Sequence, residues 1–286
     1  MGYSSYSSTA RNIRSEAFAY DTAPINTIFT QQREQKAHKD MLPKNVEFRE
    51  ARDSAEHPNT VPIQLYLDVT GSMGSIPHSL IKDGLPKLIS NLIQRGVPDV
   101  ALMFGAIGDH ECDNYPLQIS QFESGDAELD MWLTRTYLEG RGGGNYGESY
   151  ALAWYFAGYH TRTDAFDKRN KKGFVFTIGD EPYLQDYPIS AIKDIMGDSC
   201  AVQDTMSAAE LYAAACEKNH VFHINLKHGY SRKADDSWKQ LMGDSLIEIT
   251  DYNTLPQVIA DTVLQNTDES ETVDVVVETK EEEIIL

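Results

Sequence analysis

Cysteine is scarce in this chain, limited to Cys112, Cys200 and Cys216. An odd count with no paired spacing provides no disulfide framework, no redox dithiol and no thiolate zinc motif. Reduced thiols of this kind suit a cytoplasmic protein. Long apolar runs are also missing. No stretch approaches the roughly 20 residues that a membrane-spanning helix needs, and no charged-then-apolar leader opens the chain. The start, Met1-Gly2-Tyr3-Ser4-Ser5-Tyr6, carries Tyr at position 6, where N-myristoylation needs Ser or Thr. These absences together imply a soluble, cytoplasmic protein with no membrane partner. Positive charge is short as well: Lys and Arg number 25 against 44 Asp and Glu, a net charge of −19. No broad basic face is available to neutralise phosphates, which excludes a general nucleic-acid binder. The acidic balance suits cations and basic protein partners, although most of it is a solvated surface.

A 41% hydrophobic and 10% aromatic composition is enough for a packed core, and 286 residues allow one large domain with appendages. Residues 1–60 read as an N-terminal arm, partly disordered and partly packed on the domain beyond it. A Ser/Tyr tract opens it, Pro24, Pro43, Pro58 and Pro62 interrupt it, and its apolar patches are confined to residues 18–20 and 25–29. Residues 46–54 alternate enough for an edge strand. Residues 267–286 form an acidic tail, predicted to be disordered, with an apolar patch at 273–277 and an Ile284-Ile285-Leu286 end.

Between these flanks, residues 61–266 alternate strand and helix. Apolar runs at 62–69, 100–107, 173–178, 221–226 and 246–249 predict strands, and 117–122 predicts a short strand antiparallel to the second. Leu85, Leu88, Ile89, Leu92 and Ile93 share one helical face. Pro86 should break or kink the start of that helix. Further helices are predicted at 126–139, 148–159, 189–196, 207–218, 234–242 and 255–264, with a capping box at Ser207 and Glu210. The pattern predicts an α/β fold: a doubly wound, mostly parallel central sheet with one antiparallel edge strand and helices on both faces.

The chemistry concentrates at strand ends. The first buried strand closes at Asp68, followed by Val69-Thr70-Gly71-Ser72. The strand at 173–178 closes at Gly179-Asp180, and the second at Gly108-Asp109. In a doubly wound sheet the C-terminal ends of the first and fourth strands share a crevice, which puts Asp68 and Asp180 together. Asp68, Thr70, Ser72 and Asp180 all offer oxygen, the donor that hard divalent cations select. Gly142-Gly143-Gly144-Asn145, then Gly147-Glu148, is glycine-rich but is no phosphate-binding P-loop, since no Gly-Lys-Ser/Thr follows. Residues 109–113 contain His and Cys, without a second pair at zinc-ligand spacing.

The Asp-x-Thr-x-Ser run at Asp68, Thr70 and Ser72, with the glycine loop and Asp180, resembles the metal-ion-dependent adhesion site of von Willebrand factor type A domains. The resemblance covers roughly residues 61–266 by element order, and is nearest to the bacterial and phage-type intracellular variants. It implies a Mg²⁺ site, with Mn²⁺ or Ca²⁺ as alternatives. Its ligands would be Asp68, Thr70, Ser72, Asn145 and Asp180, and Asp109, Gly71, Gly144, Glu148 and Gly179 would support them. The family's third loop supplies a Thr where this chain has Asn145, whose amide oxygen either ligates or serves the turn. The resemblance further implies a protein-binding module. Its open coordination position would take an Asp or Glu of a partner, with a MoxR-type AAA+ ATPase among the candidates. Two alternatives stay open: a Mg²⁺-dependent phosphotransferase or hydrolase, and a structural component of a phage-type assembly. The enzymatic alternative has no placed nucleophile or general base, with His110 the sole Lys or His in these loops.

Overall fold

The computed structural model describes residues 4–97, 99–140, 147–227 and 235–267. Six strands build the central sheet: β1 Val61–Asp68, β2 Val100–Ile107, β3 Leu117–Ile119, β4 Gly173–Gly179, β5 Asn219–Leu226 and β6 Leu246–Ile249. Their spatial order is β6-β5-β4-β1-β2-β3. All neighbours are parallel except β2 and β3. The main helices are α1 Ser8–Ala17, α2 Leu85–Gln94, α3 Asp126–Thr134, α4 Tyr150–Tyr159, α5 Ala208–Cys216 and α6 Leu255–Asn266. The molecule is thus an α/β protein with a mostly parallel sheet, one antiparallel edge strand and flanking helices. None of the described helices is long and apolar enough to cross a membrane.

The strands read as continuous apolar runs because both faces of the sheet are covered. In β1, Ile63 and Leu65 face one core together with Leu88, Leu92, Ile259 and Val263 of α2 and α6. Tyr66 faces the other, with Trp154 and Phe156 of α4 and Leu211 of α5. Tyr66 lies across from Gly105 in register. A Cβ at Gly105 would stand 2.2 Å from the Tyr66 ring. Glycine there is what lets a tyrosine lie flat over a central strand. Helix α4 is buried around nearly its whole circumference, which explains its lack of a polar stripe.

Several boundaries differ from the sequence expectation. Helix α3 stops at Thr134 rather than 139, so Leu138 is buried in a loop instead of on a helix. Helix α4 starts at Tyr150, because the Glu148 backbone is committed to a parallel bridge with Tyr183. Pro86 sits at the first turn of α2, and the turn before it, Leu80–Gly84, widens into a π-helical turn. A proline lacks the N–H and crowds the carbonyl one turn back, so the preceding turn opens. The capping box forms as expected: Ser207 accepts from the Glu210 N–H, and the Glu210 carboxylate accepts from the Ser207 N–H.

The segment before β1 lies on the domain. Arg49–Ala51 is a short strand, but it pairs with Thr161–Thr163, apart from the central sheet. Tyr20, Ile28 and Phe29 pack with Val69, Ala106 and Leu138 into a third apolar cluster. The arm therefore reaches the residue that separates Asp68 from Thr70.

Candidate metal centre

The parallel register sets the geometry. Leu67 pairs with Ile178, so Gly179 stands level with Asp68 and Asp180 lies one residue beyond it on the adjacent strand. On the other side Asp68 pairs with Ile107, two residues before Asp109. The three carboxylates thus end three neighbouring strands at the C-terminal edge of the sheet, the edge where open α/β sheets bind ligands.

After Asp68 the chain folds back on itself. The Thr70 backbone N–H and the Thr70 hydroxyl both donate to Asp68 Oδ1, at 2.8 and 2.6 Å. A 3₁₀ turn over Gly71–Met73 then carries Ser72 across to β4, and its hydroxyl donates to Asp180 Oδ1 at 2.8 Å. Thr70 Oγ1 and Ser72 Oγ are 3.3 Å apart. Asp68, Thr70, Ser72 and Asp180 therefore form a continuous chain of oxygens, drawn together from residues 108 apart at the Ser72–Asp180 link. Asp68 and Thr70 are buried, whereas Gly71 and Ser72 are exposed, so the cluster opens to solvent on the Ser72 side.

Electrostatics distinguish Asp68 from an ordinary capping residue. Burial, together with the nearby charge of Asp180, pushes its pKa up to about 7, against the opposing hydrogen bonds from Thr70 and Tyr150. A buried carboxylate beside a second carboxylate is stabilised by any cation that enters. Two carboxylates and two hydroxyls, all oxygen, form a donor set that fits a hard divalent ion. Among the described residues no group of three or more His, Cys, Asp or Glu is arranged to hold a metal. The cluster contains two carboxylates, Asp68 and Asp180, and its other oxygens are the Thr70 and Ser72 hydroxyls.

The supporting residues expected from sequence surround this cluster unevenly. Asp109 is fully buried; its Oδ1 accepts from the Glu111 N–H at 2.9 Å, while its Oδ2 has no hydrogen-bond partner among the described residues. Glu148 is also buried, with Oε2 likewise unpartnered there. Burial first, then the charges of Asp68, Asp113 and Asp109, push its pKa up to about 10. Gly140, at the entry to the glycine loop, donates its N–H to the Val69 carbonyl at 3.2 Å. Gly144 and Asn145 lie outside the described residues. His110 Nδ1 is 2.8 Å from the Ser149 hydroxyl and its ring packs on Tyr187.

One contact has no counterpart in the sequence pattern. The Tyr150 hydroxyl, fully buried, donates to Asp68 Oδ2 at 3.1 Å. Tyr150 opens a helix rich in aromatic and small residues, and its phenol is not distinguishable there from another core aromatic. Its place at a helix start facing the strand ends is visible only in the fold.

No family model matches the chain, and no curated protein matches it. Solved structures do. The pilus adhesin SpaC from Lactobacillus rhamnosus GG, in its open conformation, aligns with a TM-score of 0.49 and 9% identity, covering 76% of this chain and 31% of that one. Proximal thread matrix protein 1 from the mussel byssus aligns at 0.47 and 10% identity, covering 72% of this chain and 47% of that one. The vWF domain of the type V pili tip protein Mfa5 from Porphyromonas gingivalis aligns at 0.45 and 13% identity, covering 76% of this chain and 99% of that one. The chain thus spans less than a third of the adhesin's length and under half of the mussel protein's. All three likenesses lie in the path of the backbone and do not extend to the sequence.

Proposed function

We propose that this protein is a metal-ion-dependent protein-binding module of the von Willebrand factor A type. In this reading Asp68, Thr70, Ser72 and Asp180 hold a Mg²⁺ ion at the C-terminal edge of the sheet. A partner's Asp or Glu completes the coordination from the exposed Ser72 side. The observation that carries it is the convergence of the Asp68-x-Thr70-x-Ser72 run on Asp180 through two short hydrogen bonds. Such a run needs only Asp68 and Thr70 to cap a strand-end turn. The reach of Ser72 to a carboxylate on another strand goes beyond capping.

Mg²⁺ holds several waters even when bound, so an exchangeable position facing solvent is natural to it. A carboxylate entering there makes a charge-assisted contact without turnover. Asp109 and Glu148 would orient waters around the ion, since each carries a buried oxygen with no hydrogen-bond partner among the described residues. Asn145 would contribute an amide oxygen from the glycine loop. By resemblance, a MoxR-type AAA+ ATPase is one candidate partner. The test is calorimetric titration of Mg²⁺ and Mn²⁺ into chelator-treated protein, beside Asp68→Ala and Asp180→Ala. Saturable binding lost in both variants is expected; equal binding in the variants and the wild type sinks the assignment. Partner capture should then require the ion and disappear with chelator.

A further inference from the structure

We propose that Tyr150 is a positioning residue for the cation site, acting through Asp68, and that position 179 is glycine so that the Tyr150 hydroxyl can pass. The inference rests on the metal-site reading above and adds to it a residue from outside the loops. Asp68 has two oxygens. Oδ1 is held by Thr70, through the N–H at 2.8 Å and the hydroxyl at 2.6 Å. Oδ2 is held by the Tyr150 hydroxyl at 3.1 Å. Both ends of the carboxylate are therefore pinned, and its rotation about the last side-chain bond is blocked. Without the phenol, Oδ2 loses a buried donor and the carboxylate can swing.

The phenol is itself held on every side. Its ring meets Trp238 edge-on at 5.3 Å and His223 at 5.0 Å. Those two rings stack nearly parallel at 3.6 Å, and Trp238 Nε1 donates to the Glu181 carbonyl at 3.2 Å. Glu181 directly follows Asp180, so the aromatic stack is tied to the same strand end that carries the second carboxylate. The remaining side of the phenol is β4. A Cβ built on Gly179 would stand 1.8 Å from the Tyr150 oxygen and 2.7 Å from Cζ. These contacts are with a buried, boxed side chain, so no shift relieves them cheaply. The glycine of the Gly179-Asp180 pair thus faces the phenol and clears a path from α4 across β4 to Asp68. Positioning groups of this kind decide how well a first ligand presents itself to an ion.

The experiment is Mn²⁺ titration of the chelator-treated full chain in four forms: wild type, Tyr150→Phe, Gly179→Ala and the double variant. Thermal melting of each form is followed in chelator. A hydrogen bond to a charged group sets the scale, so Tyr150→Phe should weaken Mn²⁺ binding about tenfold or more. Gly179→Ala should weaken it at least as much, by displacing the same hydroxyl. The double variant should bind no more weakly than Gly179→Ala alone, because one hydroxyl can be lost only once. Trp154→Leu serves as the packing control. Trp154 meets Trp238 edge-on at 6.0 Å, so the variant opens the same aromatic column, and should lower the melting temperature while leaving Mn²⁺ affinity in place. Unchanged affinity in Tyr150→Phe overturns the proposal, and so does an equal loss of affinity in Trp154→Leu. Additive losses in the double variant overturn the role given to Gly179. Absence of Mn²⁺ binding in the wild type overturns the metal reading itself, an outcome distinct from all of these.

Discussion

Asp68 and Asp130 are both almost completely removed from water, and their surroundings compensate the two carboxylates in opposite ways. Asp130 on α3 receives the guanidinium of Arg11 at 2.8 Å and that of Arg14 at 2.9 Å, both from α1. Asp68 at the end of β1 receives a backbone N–H and two hydroxyls, and its hydrogen-bond partners among the described residues are all neutral. Burial raises the pKa of both. At Asp130 two cations oppose that shift; at Asp68 the charge of Asp180 adds to it. A buried carboxylate is costly unless a cation compensates it. The chain supplies the cation for Asp130 from a helix more than a hundred residues away. At Asp68 it supplies neutral donors instead, one N–H and two hydroxyls, which is what the proposed cation site requires.

The largest effect should come from breaking the completed centre. Arg11 and Asp130 are each about 2% exposed as side chains. Arg11→Ala leaves Asp130 buried with Arg14 alone and should cost about 3 kcal/mol, the lower end for breaking a buried pair. Urea unfolding would measure it. A cost under about 1 kcal/mol, the level of a surface pair, would show that the arm is not a structural part of the domain. The next effect comes from completing the other centre. Saturating Mg²⁺ at a hundredfold excess over its dissociation constant should stabilise the wild type by about 2.7 kcal/mol, read as a rise in melting temperature of several degrees. Asp180→Ala should abolish the rise, whereas Arg11→Ala should keep it at a lower starting temperature. Loss of the rise in both variants would mean that the two centres are not independent.

The contrast also explains what was legible in the sequence. Strand ends are visible because apolar runs stop at carboxylates, and the parallel register then dictates that Asp68, Asp109 and Asp180 fall on one edge. The order of elements and the antiparallel β3 follow from the same patterning. The Arg11–Asp130 centre was invisible, since nothing in an amphipathic stretch near the start announces a partner far along the chain. Tyr150 was hidden for a related reason: a phenol and a phenyl look alike in an apolar helix until the strand opposite is known. Gly179 stands out for its place before Asp180, but the side chain that needs it could only be found in three dimensions.

Protonation offers a finer test of Asp68. In the unfolded chain its pKa is that of an ordinary carboxylate, and in the cation-free fold it rises to about 7. A raised carboxylate pKa contributes stability below the unfolded value and loses it as pH climbs through the folded one. Chelated protein should therefore melt at lower temperature at pH 8 than at pH 6 through this group. Cation binding has the opposite dependence, because it uses the ionised form. Affinity for Mn²⁺ should rise by up to about tenfold per pH unit below 7, which is about 1.4 kcal/mol per unit, and level off above it. A flat profile between about pH 6 and 8, roughly one unit either side of that value, would show that Asp68 is not displaced from a proton by the ion.

The smallest effect lies at the rim of the completed centre. Arg14 also holds Asp126, at 2.6 Å, with side-chain exposures of 21% and 9%. Asp126 Oδ1 accepts from the Ser7 N–H at 3.1 Å. Asp126→Asn keeps an acceptor for Ser7 but removes the charge and turns the oxygen facing Arg14 into an NH2 donor. Arg14 retains Asp130 and some water, so the loss is screened and should be about 1 kcal/mol by urea unfolding. The difference from wild type should shrink in 1 M salt, where screening acts within about 3 Å; the Arg11→Ala deficit, set by desolvation, should not. If Asp126→Asn cost as much as Arg11→Ala and ignored salt, depth of burial would not be what separates the pairs. The contrast between Asp130 and Asp68 would then have to rest on local geometry alone.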